Sequence, residues 1–73
     1  MEDSTANFTI TCNGRPRHVA RGTTVAVLVQ KLGFDPRQVA VELDGRVLSR
    51  EELAATELKV GARLELIRFV GGG

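Results

Sequence analysis

Apolar and polar residues alternate in the first part of the chain. From Phe8 to Cys12 every second side chain is apolar, a period that indicates a strand with one buried face. Asn13-Gly14 follows at once, and such a pair favours a type I′ turn because both central residues need positive φ. We therefore expect a hairpin whose second strand runs through residues 17–19. Pro16 cannot donate to a ladder, so this strand should lie at a sheet edge.

A helical period begins after Gly22. Apolar residues at spacings i, i+3, i+4 and i+7 form one stripe, which consists of Val25, Leu28, Val29 and Leu32. The turn before it ends in Thr24, whose hydroxyl can cap the first helical turn. Gly33 can take the left-handed position after the helix, so both helix ends carry their expected residues.

Alternation returns in the second half of the chain. Residues 39–43 predict a third strand, Asp44-Gly45 a second hairpin turn, and residues 46–48 a short return strand. Ser49 and Glu52 have the spacing of a capping box that opens a brief helical turn. The last strand is expected from Arg63 to Val70. The order of elements predicts an α+β fold in which one main helix packs on one face of a mixed sheet of four to five strands.

The 73 residues have room for one domain with a thin core. We expect a flexible N-terminus over residues 1–7, a folded domain over 8–70 and a flexible glycine tail over 71–73. Ten Lys and Arg against nine Asp and Glu, spread along the chain, do not favour nucleic acid as a partner. No apolar stretch is long enough to span a membrane and no signal peptide is evident, which indicates the cytoplasm.

The sequence contains no conventional catalytic set. His18 is interpreted as a surface histidine, Cys12 as a small buried hydrophobe and Ser49 as a helix cap. One cysteine and one histidine do not make a metal site, and no metal or stably bound cofactor is expected. Arg15, Arg17 and Arg21 gather near the first hairpin and are interpreted as a solvated edge. We therefore expect no enzyme activity from the chain itself.

The candidate chemistry lies in Gly71, Gly72 and Gly73. Glycine adds nothing to a core, so this tail serves another purpose or is an untidy terminus. A chain without Cβ atoms is thin, and at about 3.3–3.6 Å per residue three glycines can carry a carboxylate roughly 10 Å into a partner. The terminal carboxylate of Gly73 could then attack the α-phosphate of ATP, and a sulfur nucleophile could displace AMP to leave a thiocarboxylate.

Three stretches of the sequence resemble the ThiS family of sulfur carriers in thiamin biosynthesis, which belongs to the ubiquitin-like β-grasp superfamily. They are VAVELDGRV at 39–47, REE at 50–52 and LELIRFVGGG at 64–73. The resemblance implies a β-grasp sheet with the first and last strands parallel, and a protein that acts as a co-substrate. It also implies an E1-like, ThiF-type adenylating enzyme that consumes ATP, a cysteine desulfurase as sulfur source, and a ThiG-type thiazole synthase as acceptor.

Other functions share parts of this pattern. A sulfur carrier for molybdopterin or cysteine synthesis would keep the tail chemistry and change the acceptor. A noncatalytic β-grasp adaptor would not use the tail, and a ubiquitin-like modifier would form isopeptide bonds with it. These alternatives stay open at the level of sequence.

Alternation along the last strand predicts one more feature. If Leu64 and Leu66 point into the core, Ile67 and Phe69 lie on the opposite face, just before the tail. Exposed apolar side chains beside a reactive end indicate a partner-docking patch, unless a bulge or sheet edge covers them.

Overall fold

The computed structural model describes residues 7–69 of the 73. The flexible segments expected at both ends lie outside this range, except Asn7, which begins the first strand. The elements in chain order are β1 (Asn7–Cys12), β2 (Arg15–Ala20), α1 (Val25–Lys31), a 3₁₀ turn (Pro36–Gln38), β3 (Val39–Leu43), β4 (Arg46–Val47), α2 (Arg50–Ala55) and β5 (Arg63–Arg68).

The strands form one mixed sheet in the order β2-β1-β5-β3-β4. β1 and β5 are parallel neighbours, whereas β5 runs antiparallel to β3, so the last strand occupies the centre of the sheet. The parallel pairing of first and last strands and the five-stranded mixed sheet are as expected. β2 is an edge strand, which explains how Pro16 is accommodated.

Both hairpins turn as their sequences predict. Asn13 and Gly14 have φ values of 52° and 80°, and Asp44 and Gly45 have values of 50° and 88°. Positive φ at both central positions is the geometry of the type I′ turn, which matches the twist of the flanking strands. The two turns end β1 and β3, the strands on either side of β5.

The main helix packs its apolar stripe on the sheet. Val25, Leu28 and Val29 are buried, and the Thr24 hydroxyl accepts a hydrogen bond from the Val27 amide at 3.2 Å. Gly33 has φ 92° after the helix ends, as expected for its left-handed position.

The core lies between α1, α2 and one face of the sheet. Its buried members are Ile10, Cys12, Val19, Val25, Leu28, Val29, Val39, Val41, Leu48, Leu53, Leu58, Ala62 and Leu64. α2 contributes Leu53 to this core and begins with the predicted capping box between Ser49 and Glu52. Within residues 7–69 no helix has the length and apolar character needed to cross a membrane.

Three segments differ from expectation. The last strand, expected to run from Arg63 to Val70, ends at Arg68. Residues 34–38 were expected to be a plain connection, but Pro36–Gln38 form a 3₁₀ turn because the Asp35 carboxylate accepts from the Arg37 amide at 2.9 Å. Leu48 was expected in the return strand, yet β4 ends at Val47. The Leu48 amide donates to the Val41 carbonyl at 2.9 Å while its side chain enters the core.

Candidate functional site

β5 carries its side chains alternately to the two faces of the sheet. Leu64 is buried and Leu66 is half-buried against the core, whereas Ile67 and Phe69 are 54% and 61% exposed. The Phe69 amide donates to the Gln38 carbonyl at 3.1 Å, which extends the ladder with β3 by one residue beyond β5. No bulge or neighbouring segment within the described residues covers these two side chains, so they form an exposed apolar end to the strand.

Strand pairing places two further apolar residues beside Ile67 and Phe69. Ala40 is the direct partner of Ile67, and Val47 pairs with Glu42, which lies on the same face as Ala40. Val47 is 62% exposed, and together with Ala40 and Phe69 it lines a shallow depression of about 280 Å³. We call Ala40, Val47, Ile67 and Phe69 the open-face patch.

The open face becomes polar toward the start of β5. Glu65 lies directly opposite Glu42 on the neighbouring strand, and both line a second depression with Arg63 and Asp44. Like charges in direct cross-strand pairs do not stabilise a sheet. Along β3 and β5, the apolar part of this face therefore lies at the end of β5 that precedes residue 70.

The helix-side face near the end of β5 is basic. The Arg68 guanidinium lies 5.5 Å from the centre of the Phe34 ring, within the range of a cation–π interaction. Arg15 and Arg17 line a groove of about 310 Å³ that also contains Phe34 and Leu66. Arg21, the third arginine expected near the hairpin, is exposed and follows β2.

The isolated candidates for catalysis have structural positions. Cys12 is buried in the core, and this burial raises the pKa of its thiol, which disfavours the reactive thiolate. His18 is exposed on β2, with Nδ1 3.5 Å from the Thr9 hydroxyl. The Ser49 hydroxyl accepts from the Glu52 amide at 3.2 Å as a helix cap. These three residues lie apart from one another and form no catalytic set.

The glycine tail itself lies outside the described residues. Phe69 is the last residue that the structure describes, and Val70 alone separates it in sequence from Gly71. Among residues 7–69, no group of three or more His, Cys, Asp or Glu side chains is arranged to hold a metal ion. The described part of the site is thus a surface beside the tail.

Sequence patterns alone identified half of the open-face patch. The alternation in β5 pointed to Ile67 and Phe69, but Ala40 and Val47 join them only through the β3–β5 and β3–β4 registers. The alternation of Ala40 and Glu42 with buried valines in β3 was the available signal. It did not reveal which strand would lie beside them.

Comparison with known proteins gives a consistent result. The ThiS family model matches residues 10–73. A segment of a thiazole synthase from Magnetococcus marinus is 41% identical over 61 residues, 84% of this chain. The matched segment is only 19% of that protein, so the chain spans about one fifth of the length of this relative.

Solved structures agree in fold. The crystal structure of the thiamine biosynthesis protein ThiS from Geobacter metallireducens has a TM-score of 0.71 and 37% identity, covering 90% of this chain and all of that one. A designed protein based on a human ubiquitin template, at 22% identity, has a TM-score of 0.55 and covers 93% of this chain and 96% of its own. The five-stranded mixed sheet with one main helix is the ubiquitin-like β-grasp fold.

Proposed function

Because the chain belongs to the ThiS family, we propose that it is a sulfur carrier of thiamin biosynthesis whose reacting group is the terminal carboxylate of Gly73. The observation that carries this proposal is the extent of the family match, which continues through the three glycines to Gly73. The glycine end is therefore part of what this chain shares with the family. In this role the protein is consumed and regenerated as a co-substrate.

The proposed chemistry activates the carboxylate before sulfur is introduced. An oxygen of the Gly73 carboxylate attacks the α-phosphorus of ATP in an E1-like, ThiF-type enzyme, and pyrophosphate leaves. The terminal sulfur of a persulfide, supplied through a cysteine desulfurase, attacks the acyl carbon and displaces AMP. A thiol then cleaves the sulfur–sulfur bond of the acyl disulfide and releases the thiocarboxylate.

The proposed acceptor is a ThiG-type thiazole synthase. In the Magnetococcus relative, which is named a thiazole synthase, a segment similar to this chain and a much longer remainder belong to one polypeptide. Covalent linkage keeps two segments at high effective concentration, which is useful when one must present a group to the other. The relative therefore favours a thiazole synthase over the acceptors of molybdopterin or cysteine synthesis.

We further propose that the open-face patch docks on the adenylating enzyme. Phe69 and Ile67 are large, apolar and more than half exposed, and aromatic side chains often dominate the binding energy of interfaces. The patch lies where β5 ends, so a partner bound there has the glycine tail within reach. Toward the start of β5 the same face carries the charged side chains of Glu42, Arg63 and Glu65, which limits the apolar contact along this strand to its end.

Intact-mass analysis tests the proposed chemistry directly. The protein is incubated with a ThiF-type enzyme, ATP and a persulfide donor, with a thiol present. We expect its mass to increase by the difference between sulfur and oxygen, with fragmentation locating the change at Gly73. An unchanged mass with an enzyme that modifies its own ThiS would contradict the proposal.

A variant lacking Gly72 and Gly73 is the matched control. It retains every described residue, and we expect it to fold like the full chain, as judged by circular dichroism, without gaining sulfur. Sulfur transfer to the truncated protein would exclude Gly73 as the site. Retention of full biological function by this variant would instead favour the noncatalytic adaptor.

A further inference from the structure

β5 is held differently on its two sides. Its antiparallel ladder with β3 pairs every residue from Leu64 to Arg68, whereas its parallel ladder with β1 includes only two pairs, Thr11 with Arg63 and Cys12 with Leu64. β1 then ends in the Asn13-Gly14 turn. On the β1 side, the half of β5 that leads to the tail has therefore lost its neighbouring strand.

The side chain of Asn13 occupies the place of the missing strand. The backbone amide of Asn13 donates to the Leu64 carbonyl at 2.9 Å. Its side-chain Oδ1 accepts from the Leu66 amide at 2.7 Å, and its Nδ2 donates to the Leu66 carbonyl at 3.5 Å. A carboxamide offers the same donor and acceptor as a peptide group, so Asn13 extends the ladder by one residue.

The other hairpin turn contacts the opposite end of the same strand. Asp44 Oδ1 accepts from the Arg63 amide at 3.0 Å, and the Asp44 amide donates to the Arg63 carbonyl at 2.8 Å. Asn13 and Asp44 hold equivalent positions in their type I′ turns, with φ values of 52° and 50°. The two turn residues therefore bind β5 from opposite sides, Asp44 at its beginning and Asn13 near its end.

We infer that Asn13 is a positioning residue, which holds β5 at Leu66 and thereby fixes the adjoining open-face patch for docking on the adenylating enzyme. This inference rests on the proposed function. Ile67 follows Leu66 directly and Phe69 lies three residues after it, so the same hydrogen bonds restrain the part of the chain that carries the open-face patch. Asparagine suits both its position in the turn and its contact with Leu66, because it tolerates positive φ and carries a peptide-like side chain.

Amide hydrogen exchange tests the structural part of the inference. In Asn13→Gly the positive φ is retained and the side-chain hydrogen bonds are lost. We expect exchange of the Leu66 amide to accelerate roughly 2- to 10-fold relative to the slowest core amides, the effect of losing one typical hydrogen bond. Unchanged relative exchange at Leu66 would overturn the inference.

Asp44→Gly is the matched control. It removes an equivalent side chain from an equivalent turn, and its effect should be confined to the Arg63 amide. Asn13→Asp is the conservative variant, because Asp keeps the acceptor for the shorter contact with the Leu66 amide, while its second oxygen replaces Nδ2 and faces the Leu66 carbonyl across the longer distance of 3.5 Å. We expect Asn13→Asp to restore most of the protection of Leu66.

Adenylation kinetics with a ThiF-type enzyme and ATP test the functional part. A loosely held patch must be ordered during docking, so Asn13→Gly should raise KM for the carrier roughly 2- to 10-fold with little change in kcat. Asp44→Gly should leave KM unchanged and Asn13→Asp should remain near the original value. An equal rise in KM for both glycine variants would mean that Asn13 contributes only to general stability, and it would overturn the positioning role.

The two measurements separate this inference from the proposed function. If the unaltered protein is not adenylated by an enzyme that modifies its own ThiS, the sulfur-carrier proposal fails, and the role of Asn13 in positioning the patch for adenylation fails with it. Hydrogen exchange at Leu66 would still establish whether Asn13 holds the strand. If adenylation proceeds and KM is insensitive to Asn13→Gly, only the positioning role is wrong.

Discussion

The two faces of the sheet differ in what their apolar residues contact. On the face covered by the helices, Ile10, Val41 and Leu64 are each 1% exposed. On the open face, Val47, Ile67 and Phe69 are more than half exposed although they belong to, or directly follow, strands of the same sheet. The apolar residues on the covered face stabilise the fold through their burial, which explains why they are apolar. The second set gains little from folding and instead suits contact with a partner.

β5 combines both roles in six residues. Leu64 lies in the core and Ile67 lies on the open face, so a strand that organises the fold also ends at the proposed docking surface. Substitutions on the two faces should therefore have separable effects. Those on the open face should change partner binding, and those on the face covered by the helices should change the free energy of unfolding.

The largest expected effect concerns the open face. Replacing Ile67 and Phe69 together by Ser should lower kcat/KM for adenylation by about 100-fold or more, because two large apolar contacts are removed from the centre of an interface. The free energy of unfolding should change by about 2 kcal/mol or less, that is about 1 kcal/mol or less for each side chain, since both are more than half exposed. Steady-state kinetics and urea unfolding measure the two quantities.

Val60→Ser provides the matched control for this pair. Val60 is 76% exposed and lies in the turn before β5, away from the end that leads to the tail. Val60→Ser should therefore leave kcat/KM for adenylation unchanged. Normal adenylation of the double variant, or an equal loss with Val60→Ser, would contradict a docking role for the open-face patch.

The face of the sheet that the helices cover, which we call the packed face, should show the converse behaviour: substitutions there should change stability more than adenylation. Leu64→Ala deletes a fully buried side chain and should lower the free energy of unfolding by about 2–5 kcal/mol, through lost burial and a cavity. Ile67→Ala on the opposite face of the same strand should cost about 1 kcal/mol or less. Equal losses from the two variants in urea unfolding would show that the two faces do not differ in this way.

Local elements were predictable because their causes are local. Asn13-Gly14 and Asp44-Gly45 determine their turns through φ, and the spacing of Val25, Leu28 and Val29 determines the buried side of α1. The 3₁₀ turn after Asp35 was not predicted, because its cap is a hydrogen bond between residues only two positions apart, from the Arg37 amide to the Asp35 carboxylate. That short pattern also occurs in ordinary loops.

Contacts between distant residues were not predictable from periodicity. The Asn13 side chain bonds to a residue 53 positions away, and nothing in the alternation of either strand identifies Leu66 as its partner. Ala40 and Val47 likewise join the open-face patch only once β3 lies between β4 and β5. The parallel pairing of β1 with β5 was expected from the family resemblance alone.

A smaller effect is expected where α2 covers the packed face. Ser49→Ala removes the hydroxyl that accepts from the Glu52 amide and should lower the free energy of unfolding by about 1 kcal/mol. Adenylation should stay normal, because neither Ser49 nor Glu52 lines the depression beside Val47 and Phe69. Ser49→Asp retains a capping oxygen and should be close to the original stability. Equal destabilisation by Ala and Asp would contradict the capping explanation.

The smallest expected effect is a change in pH dependence at the same cap. The Ser49 amide, which donates to the Glu52 carboxylate at 2.7 Å, holds the pKa of Glu52 below its ordinary value, and Arg46 adds to this at 3.1 Å. Ionised Glu52 therefore stabilises the folded state above the ordinary pKa of a glutamate, and this contribution disappears as pH falls through the lowered pKa.

Glu52→Gln keeps a side-chain oxygen for the Ser49 amide but carries no charge. At neutral pH it should be slightly less stable than the original protein, and thermal unfolding curves for the two should converge as pH falls from about 7 to about 3. Glu51→Gln removes a charge from the same helical turn without removing the bond to Ser49, so it is the control for the loss of one charge. A constant difference between Glu52→Gln and the original protein across this range would mean that the cap stabilises α2, and with it the packed face, through geometry and not through charge.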